Sequence, residues 1–244
     1  MKGFPLLRGD QAPLVESLVP LPAPGALPAS LLLQAGGGAT LLAAAWRHRP
    51  EVDPRALASL WSRWYFAKLI PPVLLCGVAD GRSLPLNLAE TAVLLGPEGL
   101  PRSIALPHAG RVEAEACPFR RFAPLVRHHV AAVVEALSAE TRLAPRILWN
   151  NAGVYADWAV RRMVDAGLPH ARASLALVQA PDCPDGTPNP LHAPVCEPES
   201  RDGIRWRRHC CLLFRLPGQD CCRACPRLRK NRAPGVDDNA RQSH

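Results

Sequence analysis

The spacing of apolar and polar positions predicts three main helices. Asp53-Pro54 begins the first, with Asp53 as N-cap and Pro54 in the first turn. The i, i+3, i+4, i+7 spacing of one helix face is followed by Leu57, Leu60, Trp61, Trp64, Tyr65 and Lys68. Pro71-Pro72 is expected to end this helix. Its aromatic stripe is typical of a core-facing surface, and the wall of a ligand pocket is the alternative.

A second helix is predicted from Phe119 onward. Its apolar face is formed by Val126, Val130, Val133 and Leu137. His128 and His129 are adjacent on it and therefore point about 100° apart. We expect these two side chains to be solvated or hydrogen-bonded, and not to bind one metal ion together.

The third helix begins at Pro145 and runs to about Asp165, with Gly167 as the C′ residue. Asn150 and Asn151 stand near its start, where consecutive asparagines are locally unfavourable. This conflict predicts polar contacts with a neighbouring loop or with a ligand, and the loop is the favoured partner.

Shorter elements complete the prediction. Ala92–Leu95 and Ser103–Leu106 flank the turn Gly96-Pro97-Glu98-Gly99, which indicates a β-hairpin. Residues 73–79 form a short buried run that carries Cys76, a short helix is expected around Leu14–Val19, and residues 181–200 form a proline-rich loop. Gly36-Gly37-Gly38 is interpreted as a helix break or a close backbone contact, since no nucleotide-binding motif surrounds it. The predicted class is α+β: a mostly helical body, a small antiparallel sheet and a C-terminal cysteine-rich segment.

Composition supports a real core but many turns, because 48% of the residues are hydrophobic while 27 are proline and 17 are glycine. No apolar run is long enough for a membrane span, and prolines interrupt the first 28 residues where a signal peptide would lie. We therefore expect a cytoplasmic protein, although peripheral membrane contact stays compatible with the sequence. In a reducing compartment, clustered cysteines indicate metal or redox chemistry more than disulfides.

The net charge of +8 is concentrated in one segment. Between Arg201 and Arg232 there are ten basic and two acidic residues, while the other 212 residues hold 19 of each. The same segment contains five of the nine cysteines: Cys210, Cys211, Cys221, Cys222 and Cys225. Cys183, His192 and Cys196 follow no recognisable ligand spacing and are interpreted as incidental loop residues.

The cysteine pattern offers two kinds of centre. A four-cysteine zinc site normally uses two C-x2–4-C knuckles, and here only Cys222–Cys225 is one. The vicinal pair Cys210-Cys211 reaches one centre only if the backbone bends there, because neighbouring side chains of a strand point to opposite faces. A [2Fe–2S] cluster relaxes this demand, since its two irons each take two thiolates. The surrounding arginines would favour the reduced, more negative state of such a cluster and raise its reduction potential.

The motif Cys-Cys-x10-Cys-x-x-Cys resembles the ferric siderophore reductases of the FhuF type, in which this arrangement binds a [2Fe–2S] cluster. The flanking Arg207-Arg208, Leu216-Pro217-Gly218 and Pro226 are also similar, as are residues 61–66, 69–72 and 149–152. The ligands that the resemblance implies are Cys210, Cys211, Cys222 and Cys225. Cys221 departs from the family pattern as a second vicinal thiol, and we expect it to be uncoordinated because Cys222 alone forms the C-x-x-C with Cys225.

The resemblance implies a cytoplasmic reductase that transfers one electron to Fe(III) in an imported siderophore of the hydroxamate type, so that Fe(II) is released. The electron donor would be a ferredoxin-like, flavodoxin-like or separate reductase protein, and no nucleic acid is expected as a partner. The expected organisation is a siderophore-binding domain at residues 1–200, a cluster-binding segment at 201–230 and a disordered tail at 231–244. Trp149, Asn150 and Tyr65 are expected near the substrate pocket. The alternative is a zinc- or cluster-stapled binding module whose basic patch holds an acidic partner or nucleic acid.

Overall fold

The computed structural model describes residues 16–196 and 203–229 of the chain. Its α-helices are α1 Gly37–His48, α2 Pro54–Ala79, α3 Pro118–Arg121, α4 Ala131–Thr141, α5 Pro145–Asp165, α6 Ala171–Ser174, α7 Ala176–Gln179 and α8 Pro226–Arg229. The strands are β1 Leu18–Pro20, β2 Leu27–Pro28, β3 Arg82–Ser83, β4 Ala92–Leu95, β5 Pro101–Leu106 and β6 Arg111–Val112. Short 3-10 helices cover Ala29–Leu33 and Leu213–Arg215, and a π-helical stretch covers Pro124–Val130.

Helix α2 is the central element, and its length corrects the predicted stop at Pro71-Pro72. The helix begins at the predicted Asp53 cap, whose carboxylate accepts a hydrogen bond from the Arg55 N–H, and continues through both prolines to Ala79. Proline 72 leaves the Lys68 carbonyl without its helical donor, and the Ser17 hydroxyl donates to that oxygen at 2.8 Å. Because almost every side chain from Leu69 to Val78 is buried, apolar burial outweighs the cost of the two prolines. The predicted run at 73–79 is therefore the last part of α2, with Cys76 buried as expected.

Helix α5 has the predicted bounds and packs along α2. It ends in a Schellman motif, in which the Leu168 N–H donates to the Met163 carbonyl and the Gly167 N–H donates to the Val164 carbonyl, both at 3.0 Å. Gly167 has φ +68°, a conformation that suits glycine at this position. The buried face of α5 thus lies against the middle of the chain's longest helix.

The main sheet has four strands in the order β1-β5-β4-β2. The predicted hairpin is confirmed as β4 and β5, and β2 also pairs antiparallel with β4. β1 adds to the other edge of the sheet in parallel with β5. In the described part of the helix predicted around Leu14–Val19, the chain forms a turn and then β1, so that prediction is wrong there. A separate two-stranded ribbon joins β3 and β6.

The second predicted helix is confirmed as the helical stretch from α3 to α4, with a π-helical turn in its middle. His128 on this stretch is exposed, whereas His129 is fully buried and hydrogen-bonds through Nε2 to the Tyr65 hydroxyl at 2.6 Å. The glycine triplet makes the expected close contact, because a Cβ on Gly37 would lie 1.6 Å from the Leu31 carbonyl oxygen.

The fold class is confirmed as α+β, a helical body with a small sheet, and the cysteine segment packs on the body. Residues 231–244 and the predicted domain boundary at 200/201 lie outside the described residues. Within 16–196 and 203–229, no helix combines the length and hydrophobicity needed to cross a membrane.

Candidate functional site

The C-terminal segment from Gly203 to Arg229, here called the cysteine segment, lies against helices α2 and α5. Its first part pairs with the preceding loop: Val195 and Arg207 form an antiparallel bridge, and the Cys196 N–H donates to the Trp206 carbonyl at 2.7 Å. The Arg207 N–H donates to the Ala224 carbonyl at 2.9 Å and so joins the two ends of the segment. Backbone hydrogen bonds thereby hold the segment to the preceding loop and bring its two ends together.

Helix α5 anchors the segment through polar side chains. Asn150 donates to the Pro194 carbonyl at 2.5 Å and accepts from the His209 N–H at 3.0 Å, directly before the first vicinal cysteine. Two turns further along α5, the buried Asp157 carboxylate forms a salt bridge with Arg205. The predicted polar contact of the Asn pair is therefore confirmed, and for Asn150 its partners are loop backbone groups.

Asn151 connects both helices to the segment. Its amide nitrogen donates to the Ser59 hydroxyl at 3.1 Å and to the Ser62 hydroxyl at 3.0 Å, and its oxygen accepts from the Arg207 guanidinium. The Ser59 hydroxyl in turn donates to the Cys211 carbonyl at 2.7 Å. All of these side chains are buried, so each hydrogen bond replaces one that water would otherwise make.

Four of the five clustered thiols form two pairs. The Cys210 and Cys225 sulfur atoms are 3.7 Å apart, and so are those of Cys211 and Cys222. We call these the two thiol pairs. The structure thus brings together the four predicted ligands, and each member of the vicinal pair faces a different partner.

A local bend of the backbone accompanies the different directions in which the two adjacent cysteines face. Leu212, which follows the vicinal pair, has φ +60°, and the 3-10 turn of Leu213–Arg215 comes next. A left-handed backbone at a branched residue is uncommon and has to be held in place by its surroundings. The backbone therefore bends directly after the vicinal pair, next to the position at which the sequence analysis required a bend for both thiolates to reach one centre.

The spacing of the thiol pairs fits a tetrahedral metal ion. Two thiolates at about 2.3 Å from one tetrahedral metal are about 3.8 Å apart. Each pair has nearly that separation, at 3.7 Å. Two pairs of this kind match the donor set of a two-iron cluster, in which each iron takes two thiolates.

The charge around the thiols also fits an anionic centre. The hydrogen bond shared with Cys222 lowers the pKa of Cys211 to about 5, with Arg207 and Arg63 acting in the same direction. Its hydrogen bond with the Cys211 sulfur raises the pKa of Cys222, and burial acts in the same direction. Burial raises the pKa of Cys210 to about 11. One thiolate is thus favoured on the side of the site that faces the arginines.

Arg63 and Arg207 are the cations next to that thiolate. The Arg63 Nη1 atom lies 3.6 Å from the Cys211 sulfur, and Arg207 is only 5% exposed. Burial lowers the pKa of Arg207. Among the described residues, neither arginine forms a salt bridge with a carboxylate, and both Nε atoms are buried without a hydrogen-bond partner. Arg207 is a buried cation and Arg63 a partly buried one, and both are stabilised by a negative partner, which thiolates or a thiolate-ligated cluster would supply.

The other cysteines lie outside the two thiol pairs. The Cys221 thiol is partly exposed and lies close to Cys225, and burial raises its pKa. Cys196 accepts a hydrogen bond from Arg229 at 3.4 Å. In the described part of the chain, no three His, Cys, Asp or Glu side chains converge on one metal-ion position. That Cys221 is uncoordinated stays a prediction.

Two of the residues expected near a substrate pocket lie in the helical body, on α2 and α5. Tyr65 is fully buried and stacks between Trp61 and His129, with ring centroids 5.1 Å and 5.8 Å away. Trp149 lines a small cavity of about 290 Å³ together with Phe119 and Cys183. Asn150 alone contacts the cysteine segment, at His209.

Sequence reasoning missed the residues of α2 that touch the site. Ser59, Ser62 and Arg63 stand at i, i+3 and i+4 in an otherwise apolar helix. This polar stripe is the signal that could have revealed them, because such spacing places all three side chains on one face. Asp157 of α5 was missed as well, and a single acid in the middle of a buried helix is a weaker signal.

Taken together, the two thiol pairs lie beside Arg63 and the buried Arg207, and they form a donor set that could hold a thiolate-ligated metal or iron–sulfur centre. A family model described as "Ferric iron reductase FhuF-like transporter" matches residues 59–202. The chain therefore belongs to the FhuF-like ferric iron reductase family. It is also similar to the "Ferric siderophore reductase" of Escherichia coli (strain K12), with 26% identity over 195 residues that cover 74% of this chain and 70% of the relative.

Proposed function

We propose that this protein is a ferric siderophore reductase whose redox centre is a [2Fe–2S] cluster held by the two thiol pairs. The ligands would be Cys210, Cys211, Cys222 and Cys225. The observation that carries the proposal is the 3.7 Å spacing of each thiol pair beside the partly buried Arg63 and the buried Arg207. Family membership and the named relative support the reaction.

The reaction is a one-electron reduction of the metal in the substrate. A bound cluster of this type accepts and passes on one electron at a time. Fe(III) in the siderophore gains one electron and becomes Fe(II), while an external donor loses one. Fe(II) has a lower charge and binds the hard oxygen atoms of a hydroxamate less strongly, so it leaves the chelator. We propose that the substrate is a hydroxamate siderophore and that release occurs in the cytoplasm.

The chain's own residues set the electrostatics of this centre. Thiolates on a [2Fe–2S] core carry a formal charge of about −2, and reduction makes it about −3. Arg63 and Arg207 lie beside Cys211 and stabilise the added negative charge. The hydrogen bond from Ser59 to the Cys211 carbonyl, at 2.7 Å, holds the backbone of this ligand on helix α2.

The electron donor would dock on the cationic surface of the cysteine segment. Arg208, Arg215, Arg223 and Arg227 are all exposed there. The guanidinium of Arg227 also lies over the Phe214 ring, at 4.3 Å from its centroid. Such a surface fits an acidic protein of the ferredoxin or flavodoxin type, or an acidic reductase, and predicts that the rate of electron delivery falls as salt is added.

Anaerobic mixing experiments test this function. Protein prepared without oxygen is reduced with one electron equivalent, and its visible absorbance is expected to bleach. Addition of a ferric tris-hydroxamate should restore the absorbance and release Fe(II) to a coloured Fe(II)-specific chelator in equal amount. Reduced protein that keeps its bleached spectrum in excess ferric chelate would contradict the proposal, and stoichiometric zinc without sulfide would favour the zinc-stapled binding module.

A further inference from the structure

A cavity of about 690 Å³ adjoins the thiol site on the side of Arg63 and Arg207. It opens between the middle of α2, the middle of α5 and the start of β5, and both arginines form part of its wall. Its volume lies in the range of about 300–1,000 Å³ that is usual for small-molecule sites. Because Arg63 Nη1 is 3.6 Å from the Cys211 sulfur, a molecule in this cavity is one side chain away from the redox centre.

The cavity wall is strongly cationic. Arg63, Lys68, Arg102 and Arg207 carry four positive charges, against one negative charge on Glu16. Arg102 is exposed on β5, so it meets a ligand at the mouth of the cavity, and Arg207 is buried. A wall that gathers charges of one sign in a concave site attracts ligands of the opposite sign.

Aromatic side chains form another part of the cavity wall. Tyr155 and Trp158 of α5 both line the cavity, and Trp158 is 47% exposed although it is a large apolar residue. An exposed indole at the wall of a polar cavity offers an apolar surface to the methylene chains of a chelator. The cavity thus combines cationic groups for oxygen atoms with an aromatic surface for hydrocarbon.

We infer that this cavity binds the ferric chelate and prefers chelates that carry net negative charge. The reaction of the bound chelate rests on the proposed function, but the binding preference does not. A tris-hydroxamate complex of Fe(III) is neutral at the metal, because three monoanionic groups balance the ion. The net charge of such a substrate is therefore set by the rest of the chelator, and free carboxylates would contact Arg102 and Lys68.

Gallium(III) chelates test the preference, since gallium(III) has nearly the size of Fe(III) and is not reduced. One linear tris-hydroxamate is used with a free terminal amine, an acetylated amine or a succinylated amine, which makes the complex cationic, neutral or anionic. Titration calorimetry on the full-length protein, purified without oxygen, at low salt should rank the anionic complex first. We expect about tenfold tighter binding of the anionic than of the cationic complex.

Amino-acid substitutions then test whether the charge discrimination arises in this cavity. Arg102→Gln and Lys68→Gln should each reduce the discrimination by about threefold, because each removes one cavity charge. Arg47→Gln, a change of an exposed arginine on α1 outside the cavity, is the matched control and should leave it unchanged. Trp158→Ala should weaken all three complexes by about tenfold and keep their order.

Equal affinities, tighter binding of the cationic complex, or unchanged discrimination in both cavity variants would overturn the inference. If this happens while ferric chelates are still reduced with recovery of the visible spectrum, only the cavity assignment fails. If the charge ranking is found but the protein holds no cluster, the cavity assignment stands and the proposed reduction fails.

Discussion

Helix α2 supports two regions of the molecule that differ in chemistry. In the aromatic region, Trp61 and Tyr65 stack with His129 of the π-helical stretch. In the thiol region, Ser59, Ser62 and Arg63 contact Asn151 and the cysteine segment. The first region consists mainly of stacked rings, with a hydrogen bond between Tyr65 and His129, whereas the second holds several polar groups that each need a partner. The comparison shows that one helix can serve as the core of the body and as the support of a reactive site.

Removal of one thiol should have the largest effect, because it should abolish the function of the thiol region and leave the aromatic region folded. Cys211→Ser is expected to lose the visible chromophore and bound iron, because one thiol pair can no longer provide two thiolates. The helical body should stay folded, since the core of α2 and α5 does not depend on that sulfur. Iron and sulfide analysis together with circular dichroism checks both outcomes.

Cys117→Ser is the control for this change, because Cys117 is a free cysteine that caps the short helix α3. It should retain full colour and iron. Cys221→Ser should also keep its iron if Cys222 is the ligand. Full iron and sulfide in Cys211→Ser would contradict the assignment of the ligands.

Loss of the connection between α2, α5 and the cysteine segment should have the next largest effect. Asn151→Ala removes an amide that donates to Ser59 and Ser62 and accepts from Arg207. The buried groups left behind are expected to lower the free energy of unfolding by about 3 kcal/mol. Urea denaturation measures this change.

Asn87→Ala is a suitable comparison, because Asn87 is exposed and its side chain makes only a local turn contact with the Ala89 N–H. This substitution should lower the free energy of unfolding by less than about 1 kcal/mol. If the two variants cost the same, the buried network is not what joins the cysteine segment to the body.

The aromatic region should show its own dependence on pH. Burial lowers the pKa of His129 to about 4, and its Nδ1 atom donates to the Leu86 carbonyl at 2.8 Å. The unfolded state binds a proton near pH 6.5 and the folded state does not, so this contribution to stability is complete above about pH 6.5 and is lost as pH falls toward 4. We expect a loss of about 2 kcal/mol between pH 8 and pH 5.

His129→Gln should remove this slope, while His128→Gln should keep it because His128 is exposed. Unfolding free energies at pH 8 and pH 5 for the three proteins provide the measurement. An unchanged slope in His129→Gln would mean that other groups cause the acid sensitivity.

Local rules predicted the elements whose signals are local. Helix α5 begins at Pro145 and ends before Gly167 as the sequence indicates, because caps and breakers act over a few residues. The end of α2 was mispredicted, since the partner that accommodates Pro72 is Ser17, far away in the chain. The parallel pairing of β1 was not predictable for the same reason, as its three residues carry no information about their neighbour.

The residues of the candidate site likewise divide into those with a local sequence signal and those that depend on distant partners. The four cysteines of the thiol pairs were implied by the resemblance of their motif to the FhuF-type reductases, and the polar contacts of Asn150-Asn151 by a conflict with helix propensity. Arg63 and Ser59 reach the cysteine segment across 148 and 152 positions, and their contacts depend on how α2 packs on α5. One sequence by itself does not encode such a meeting in any short pattern.

The central claim is that the two thiol pairs hold one [2Fe–2S] cluster. Determination of iron, acid-labile sulfide and zinc in anaerobically purified protein, with an electron paramagnetic resonance spectrum after one-electron reduction, tests it most directly. The account predicts about two irons and two sulfides per chain and a signal from a single unpaired electron in the reduced protein. One zinc per chain, no sulfide and no signal on reduction would contradict it.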